Sequence, residues 1–157
     1  DVSWSRGLGD VYKRQAVRVP VLTSSLMQVS TVNTLLPDSK KAGILTISKS
    51  TLSDAHLRAA NVPSDTPIGT TEDGAEFSRV ILNDELQLNI ELARMDNINA
   101  ALKMKTDYPE LGAIILECTN MSPYAEAIQE AVELPVFSIV NLVEWLHAGL
   151  KPKRFSS

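Results

Sequence analysis

The run LECTNMSPYA (116–125) holds the single cysteine of the chain, Cys118, where an apolar stretch gives way to a helix-like one. A thiol at the carboxyl end of a strand lies where open α/β sheets collect their ligands. The N–H groups of a following helix bind anions and favour the thiolate. Such a group can take a proton as a thiolate and return one as a thiol, which is acid–base chemistry. Thr119 and Asn120 add short donors suited to a substrate carboxylate. The residues alone leave a second reading open, a small core cysteine, because unpaired Cys is among the most buried residue types.

Other routes to chemistry are missing. The GLG at 7–9 is followed by Asp10, Val11 and Tyr12, so there is no dinucleotide fingerprint, and there is no P-loop. G-x-S-x-G is absent, and two isolated histidines with one cysteine make no metal site. His147 falls in the last turn of an amphipathic run, where a cationic side chain suits the helix dipole, and His56 is expected at the surface.

The elements that must position Cys118 alternate between strand-like and helix-like runs, the pattern of a parallel α/β sheet. VRVPVLT (17–23) reads as a strand and SLMQVSTVNTLL (25–36) as a helix, followed by the strand AGILTIS (42–48). Thr51 and Asp54 have capping-box spacing ahead of the helix SDAHLRAAN. Residues 61–87 are rich in turn chemistry, and FSRVIL within them fits a strand or a helix equally. A long helix is predicted from about Asn89 to Tyr108, its core face marked by Leu88, Leu92, Met95, Ile98 and Leu102. GAIILECTN (112–120) then reads as a strand and MSPYAEAIQEAV as a helix with Pro123 in its first turn. LPVFSI is a strand, and NLVEWLHAGL a last helix ending near Gly149. Val19–Thr23 (VPVLT) echoes Leu134–Ser138 (LPVFS), which suggests two related halves.

Length and composition bound the rest. The 157 residues suffice for one well-packed domain. A net charge of −4 offers no basic footprint for nucleic acid or an anionic membrane, and no apolar run approaches the roughly 20 residues of a span. One cysteine excludes an internal disulfide framework and fits a reducing compartment, so a cytoplasmic location is expected.

The string GAIILECTNMSPYAEAIQEAVELPVFSIVNLVEWLHAGL resembles the aspartate/glutamate racemase family, in a branch with an E-C-T-N-M signature. VPVLTSSLMQV and AGILTIS resemble earlier strands of the same branch, so the likeness runs from about Ala16 to Leu150. It implies an α/β fold of two pseudo-symmetric, Rossmann-like lobes with parallel sheets, here with the first lobe incomplete. It also implies cofactor-independent racemisation of an amino acid by two cysteines, one from each lobe. Removing a proton from one face of a carbon and returning one to the other needs two groups. By this resemblance Cys118 is one of them. Thr119 and Asn120 would hold the substrate carboxylate, and Thr23, Ser24 and Ser25 would line the cleft. Those three hydroxyls also suit plain turn and cap roles. The implied partner is a small molecule, and dimers are common in the family.

Cys118 precedes Leu134 by 16 residues, and 16 residues before Val19 stands Ser3, not a cysteine. The segment DVSWSRGLGDVYKRQ around it has two glycines, scattered charges and no apolar face, and it resembles a translated sequencing-adapter scar. Residues 1–15 are therefore expected to be non-native, and 16–157 a truncated racemase-like domain that lacks the first cysteine and two-base activity. Two alternatives remain: a single-cysteine decarboxylase or isomerase of a small dicarboxylic acid, and a non-catalytic binding relative. Glu117 stands where many relatives carry glycine, and a carboxylate pointing inward there would raise the thiol's pKa.

Overall fold

The computed structural model describes residues 16–154. Expectations placed on residues 1–15, their foreign origin and a first cysteine near Ser3, lie outside the described residues.

The chain enters through a 3-10 turn, Ser25–Gln28, which runs into α1 (Val29–Leu35), and continues β1 (Lys41–Thr46), α2 (Asp54–Ala59), β2 (Ile68–Thr70), α3 (Phe77–Leu82) and α4 (Ile90–Asp107). It then forms β3 (Leu111–Leu116), a second 3-10 turn (Thr119–Tyr124), α5 (Ala125–Val132), β4 (Val136–Phe137) and α6 (Ile139–Leu150). The strands make one four-stranded sheet of order β2-β1-β3-β4, parallel throughout, with Ile44 beside Ile115 and Leu45 beside Leu116. The expected parallel α/β architecture is therefore present.

The central strands KAGILT and LGAIIL are apolar on both sides because both faces of the sheet are covered. On one face Leu45, Ile47, Ile114 and Leu116 pack with Phe77 of α3, Met104 of α4 and Ile128 of α5. On the other, Ala42, Ile44, Ala113 and Ile115 meet Leu26, Val29 and Val32. Gly43 lets α4 come close: a Cβ there would collide with Met104 and Leu111 and lie 3.2 Å from the Pro67 carbonyl oxygen.

Helix α4 lies within the predicted limits, with Asn89 as its N-cap accepting from the Leu92 N–H at 3.1 Å, but it is rotated relative to expectation. Its buried face is Ala93, Asn97, Ala101 and Met104, whereas Leu92, Met95 and Leu102 of the predicted core stripe are 52%, 50% and 40% exposed. Ala93 and Ala101 let the helix axis approach the sheet, and Leu92, Met95 and Leu102 are left outside. Met95→Ser and Leu102→Ser should therefore each change stability by less than about 0.5 kcal/mol. Ala101→Leu, which overfills the true contact face, should cost about 1–3 kcal/mol. Urea melts of the three variants separate the two faces.

Other expectations are corrected as well. Residues 17–23 form no strand among the described residues, and Pro20 lacks the N–H that a ladder would need. The cap of α2 is Ser53 with His56 rather than Thr51 with Asp54. His56 Nδ1 accepts from the Ser53 N–H at 3.2 Å, and Thr51 Oγ1 donates to the Ser48 carbonyl instead. FSRVIL is helical, as α3, and β2, which no periodicity announced, forms the edge of the sheet. β3 stops at Leu116, and Pro123 falls within the 3-10 turn ahead of α5.

Candidate functional site

From β1 the chain moves to the edge strand β2, then crosses back over β1 to β3 and on to β4. Connections from β1 and β3 thus leave in opposite directions, which makes the carboxyl ends of these two strands the switch point at which open sheets take their ligands. Thr46 ends β1 there. Glu117 and Cys118 follow β3 directly.

Backbone pairing carries past the strand end, since the Glu117 N–H donates to the Leu45 carbonyl at 2.9 Å. The Glu117 side chain turns toward β1 and accepts from Thr46 Oγ1 at 3.0 Å. Ser25, buried, donates its hydroxyl to the Leu116 carbonyl at 2.7 Å and reaches the Glu117 carbonyl at 3.4 Å. Ser25 is thus brought to the end of β3, 91 residues away in sequence.

Cys118 is 9% exposed, at the border of the core cluster formed with Leu45, Phe77, Met121 and Tyr124. Its carbonyl accepts from the Met121 N–H at 3.0 Å, which winds the chain into the 3-10 turn. Thr119 and Asn120 stand exposed at the start of that turn. Ser122 Oγ, four residues after Cys118, is a buried hydroxyl oxygen with no hydrogen-bond partner. Tyr124 closes the turn with its ring edge-on to Phe77, centroids 5.8 Å apart, and burial raises its phenol pKa.

The remaining candidates have local roles in the first 3-10 turn. Ser24 is its N-cap, accepting from the Leu26 N–H at 3.2 Å, and Thr23 Oγ1 lies 3.6 Å from Met27 Sδ. They share a turn with Ser25, and the turn or cap role is the one their hydrogen bonds describe. His147 is exposed in the last turn of α6, as expected, while His56 is partly buried by its cap.

Sequence reasoning missed the groups at the ends of β1 and β2. Ser48 Oγ donates to Glu72 Oε1 at 2.5 Å, Ser50 Oγ lies 2.9 Å from Ser48 Oγ, and Thr70 Oγ1 donates to the Ile47 carbonyl at 3.1 Å. The signal was the alternation T-I-S at the end of AGILTIS, which sends Thr46 and Ser48 to one side just where the strand ends.

Two carboxyls near this edge sit below their usual 4.5. The Ser48 hydroxyl holds Glu72 down, and the Asn89 N–H followed by Arg79 does the same for Glu76. A carboxyl with a lowered folded pKa stabilises the fold above its unfolded pKa and loses that contribution as the pH falls through the folded value. The denaturation midpoint should therefore decline once the pH drops below about 4.5, and Glu76→Gln should flatten part of that decline. Guanidinium melts between pH 3 and 7 test this.

Among the described residues no three His, Cys, Asp or Glu side chains are grouped to hold a metal ion, and no helix is long and apolar enough to cross a membrane.

Solved structures carry the same architecture. Allantoin racemase from Pseudomonas fluorescens superposes with a TM-score of 0.56 over 90% of this chain, at 16% identity. The fold is shared with a racemase. In that fold β3 and the Glu117–Cys118 junction lie at the switch point of the sheet. The chain spans 63% of the racemase's length. A segment of 41 residues, 26% of this chain and 8% of the relative, is 40% identical to dimethylsulfoniopropionate lyase 5 of Emiliania huxleyi (strain CCMP1516). No family model matches the chain.

Proposed function

We propose that this chain is the cysteine-bearing α/β part of a cofactor-independent amino-acid racemase, acting in the cytoplasm, with Cys118 as one of two acid–base groups. The observation that carries the reading is the place of Cys118: it stands two residues past the end of the central strand β3, at the switch point of a sheet whose fold is shared with a racemase. Thr119 and Asn120, exposed one and two residues further on, would serve as donors to the substrate carboxylate.

Inversion needs a second group on the opposite face of the reacting carbon, which the resemblance assigns to the other lobe. One thiolate can still remove the α-proton and return a deuteron to the same face. The chain should therefore exchange the α-proton of a substrate in deuterium oxide while leaving its configuration unchanged. Proton NMR with aspartate, glutamate, alanine and allantoin, followed by chiral chromatography, measures both. Exchange that survives loss of the thiol, or no exchange with any of the four, would overturn the reading.

The match to a lyase supports one further reading. Cleaving the carbon–sulfur bond of a sulfoniopropionate by elimination begins with removal of the proton next to the carboxylate, and a single base suffices. Release of acrylate from dimethylsulfoniopropionate, with no exchange of amino-acid α-protons, would favour it.

A further inference from the structure

Helix α4 turns Ala93, Asn97, Ala101 and Met104 inward. On its opposite side Leu88, Leu92, Met95, Asn99, Leu102 and Thr106 follow one another in steps of 4, 3, 4, 3 and 4 residues. Leu88 is half-buried and the others are exposed. This is the spacing of a seam that packs against a second helix, with one polar residue, Asn99, inside it. The helix has 18 residues and is roughly 27 Å long, so the stripe runs most of its length. Large apolar side chains aligned on one exposed face form a patch, unlike single ones scattered over a surface.

We propose that this face binds a second copy of the chain, α4 against α4 in antiparallel order about a two-fold axis. The face matches itself. Antiparallel packing centred between Met95 and Asn99 sets Leu92 opposite Leu102 of the second copy and Met95 opposite its Asn99, and the two-fold makes each pair twice. Along one flank of the seam lie Glu91, Ile98 and Lys105, at intervals of 7 residues. In the same register Glu91 faces Lys105 of the second copy, again twice, and Ile98 lies near the axis beside its own counterpart. Both charged groups have capacity left. Glu91 bonds Arg94 through one carboxylate oxygen. Lys105 donates to the Val132 carbonyl at 2.6 Å and lies 4.0 Å from Glu133, with three N–H groups to share. On the other flank Asp96 meets its own counterpart, but its carboxylate is already turned to the N–H groups of Ala75, Glu76 and Phe77. Sliding the copies by one heptad sets Leu102 against Asn99 and parts Glu91 from Lys105, so one register is favoured.

Sedimentation of the full chain from about 5 to 500 μM tests this. A seam of one helix per copy lies at the small end of specific interfaces, so a dimer with a Kd on the order of 10–100 μM is expected. Leu102→Lys and Leu92→Lys each bring two charges into the seam and should raise that Kd at least about 30-fold. Both positions are exposed in the single chain, and circular dichroism confirms that the fold is kept. Val143→Lys, on the exposed side of α6, should leave the Kd within about 2-fold.

Glu91→Lys and Lys105→Glu each set like charges together twice and should weaken association about 5-fold. Mixed, the two variants regain opposite charges at both contacts and should associate with native strength. A native chain that stays monomeric over the whole range overturns the proposal. So does a dimer untouched by Leu102→Lys and Leu92→Lys, which would place the contact on another surface. A mixture no stronger than its two components overturns the antiparallel register, and the proposal with it.

Discussion

Cys118→Ser is expected to lower the rate of α-proton exchange in deuterium oxide by about 100-fold or more. Serine is nearly the size of cysteine, so the packing beside Leu45, Met121 and Tyr124 changes little. The chemistry changes far more, because a hydroxyl without a partner base is scarcely ionised at neutral pH, whereas a thiol titrates close to it. Since the side chain is 9% exposed, burying a hydroxyl there carries a stability cost of about 1–2 kcal/mol. Circular dichroism and a urea melt of the variant show whether the fold survives that cost. Exchange unchanged in a folded variant would move the base to another group on the same edge, with Glu117 first in line.

Asp96→Ala should produce the largest loss of stability, about 2–4 kcal/mol. Asp96 lies on α4, yet its carboxylate caps α3: Oδ2 accepts from the N–H groups of Glu76 at 2.7 Å and Phe77 at 2.8 Å, and Oδ1 from that of Ala75 at 3.2 Å. In return Glu76, the N-cap residue of α3, accepts from the N–H of Asn89, the N-cap of α4, at 2.8 Å. The two helices thus satisfy each other's orphan donors, and deleting one carboxylate strands three N–H groups at a helix start. Gly74 permits the approach, since a Cβ there would lie 2.6 Å from Asp96 Cγ. Gly74→Ala should therefore reproduce much of the loss with Asp96 still in place. In denaturant melts both variants should shift the midpoint and leave the slope alone. A change within about 0.5 kcal/mol in Asp96→Ala would show that water replaces the cap.

What could be read in the sequence followed from how many physical signals agreed on a residue. Helix α4 had a capping asparagine at its start, unbroken periodicity and Pro109 beyond its end, and its limits were legible. Its orientation was not, because the periodicity of Leu92, Met95 and Leu102 marks an apolar stripe without saying that alanines form the tighter contact with the sheet. β1 and β3 were legible as continuous apolar runs, and with them the strand-end position of Cys118. VRVPVLT had strand composition, but pairing depends on a neighbour that composition does not supply. β2 was hidden because three residues carry no period. Cys118, Thr119 and Asn120 were placed just beyond the end of β3 from chain order. Thr46, Ser48 and Glu72 emerged only when the strand order placed the ends of β1 and β2 beside them.

Ser25 bonds to the end of β3, and one 3-10 turn later the same segment is fixed again, since Gln28 Nε2 donates to the Ser138 carbonyl at 2.9 Å. These tethers join residues 91 and 110 positions apart, and both reach the carboxyl edge of the sheet. Closing such long loops costs entropy that local helices do not repay, so topology of this kind folds slowly. The edge beside Cys118 is consequently expected to be a late product of folding: β1 and β3 can pair before the segment of Ser25 and Gln28, whose contacts span 91 and 110 residues, is held against them.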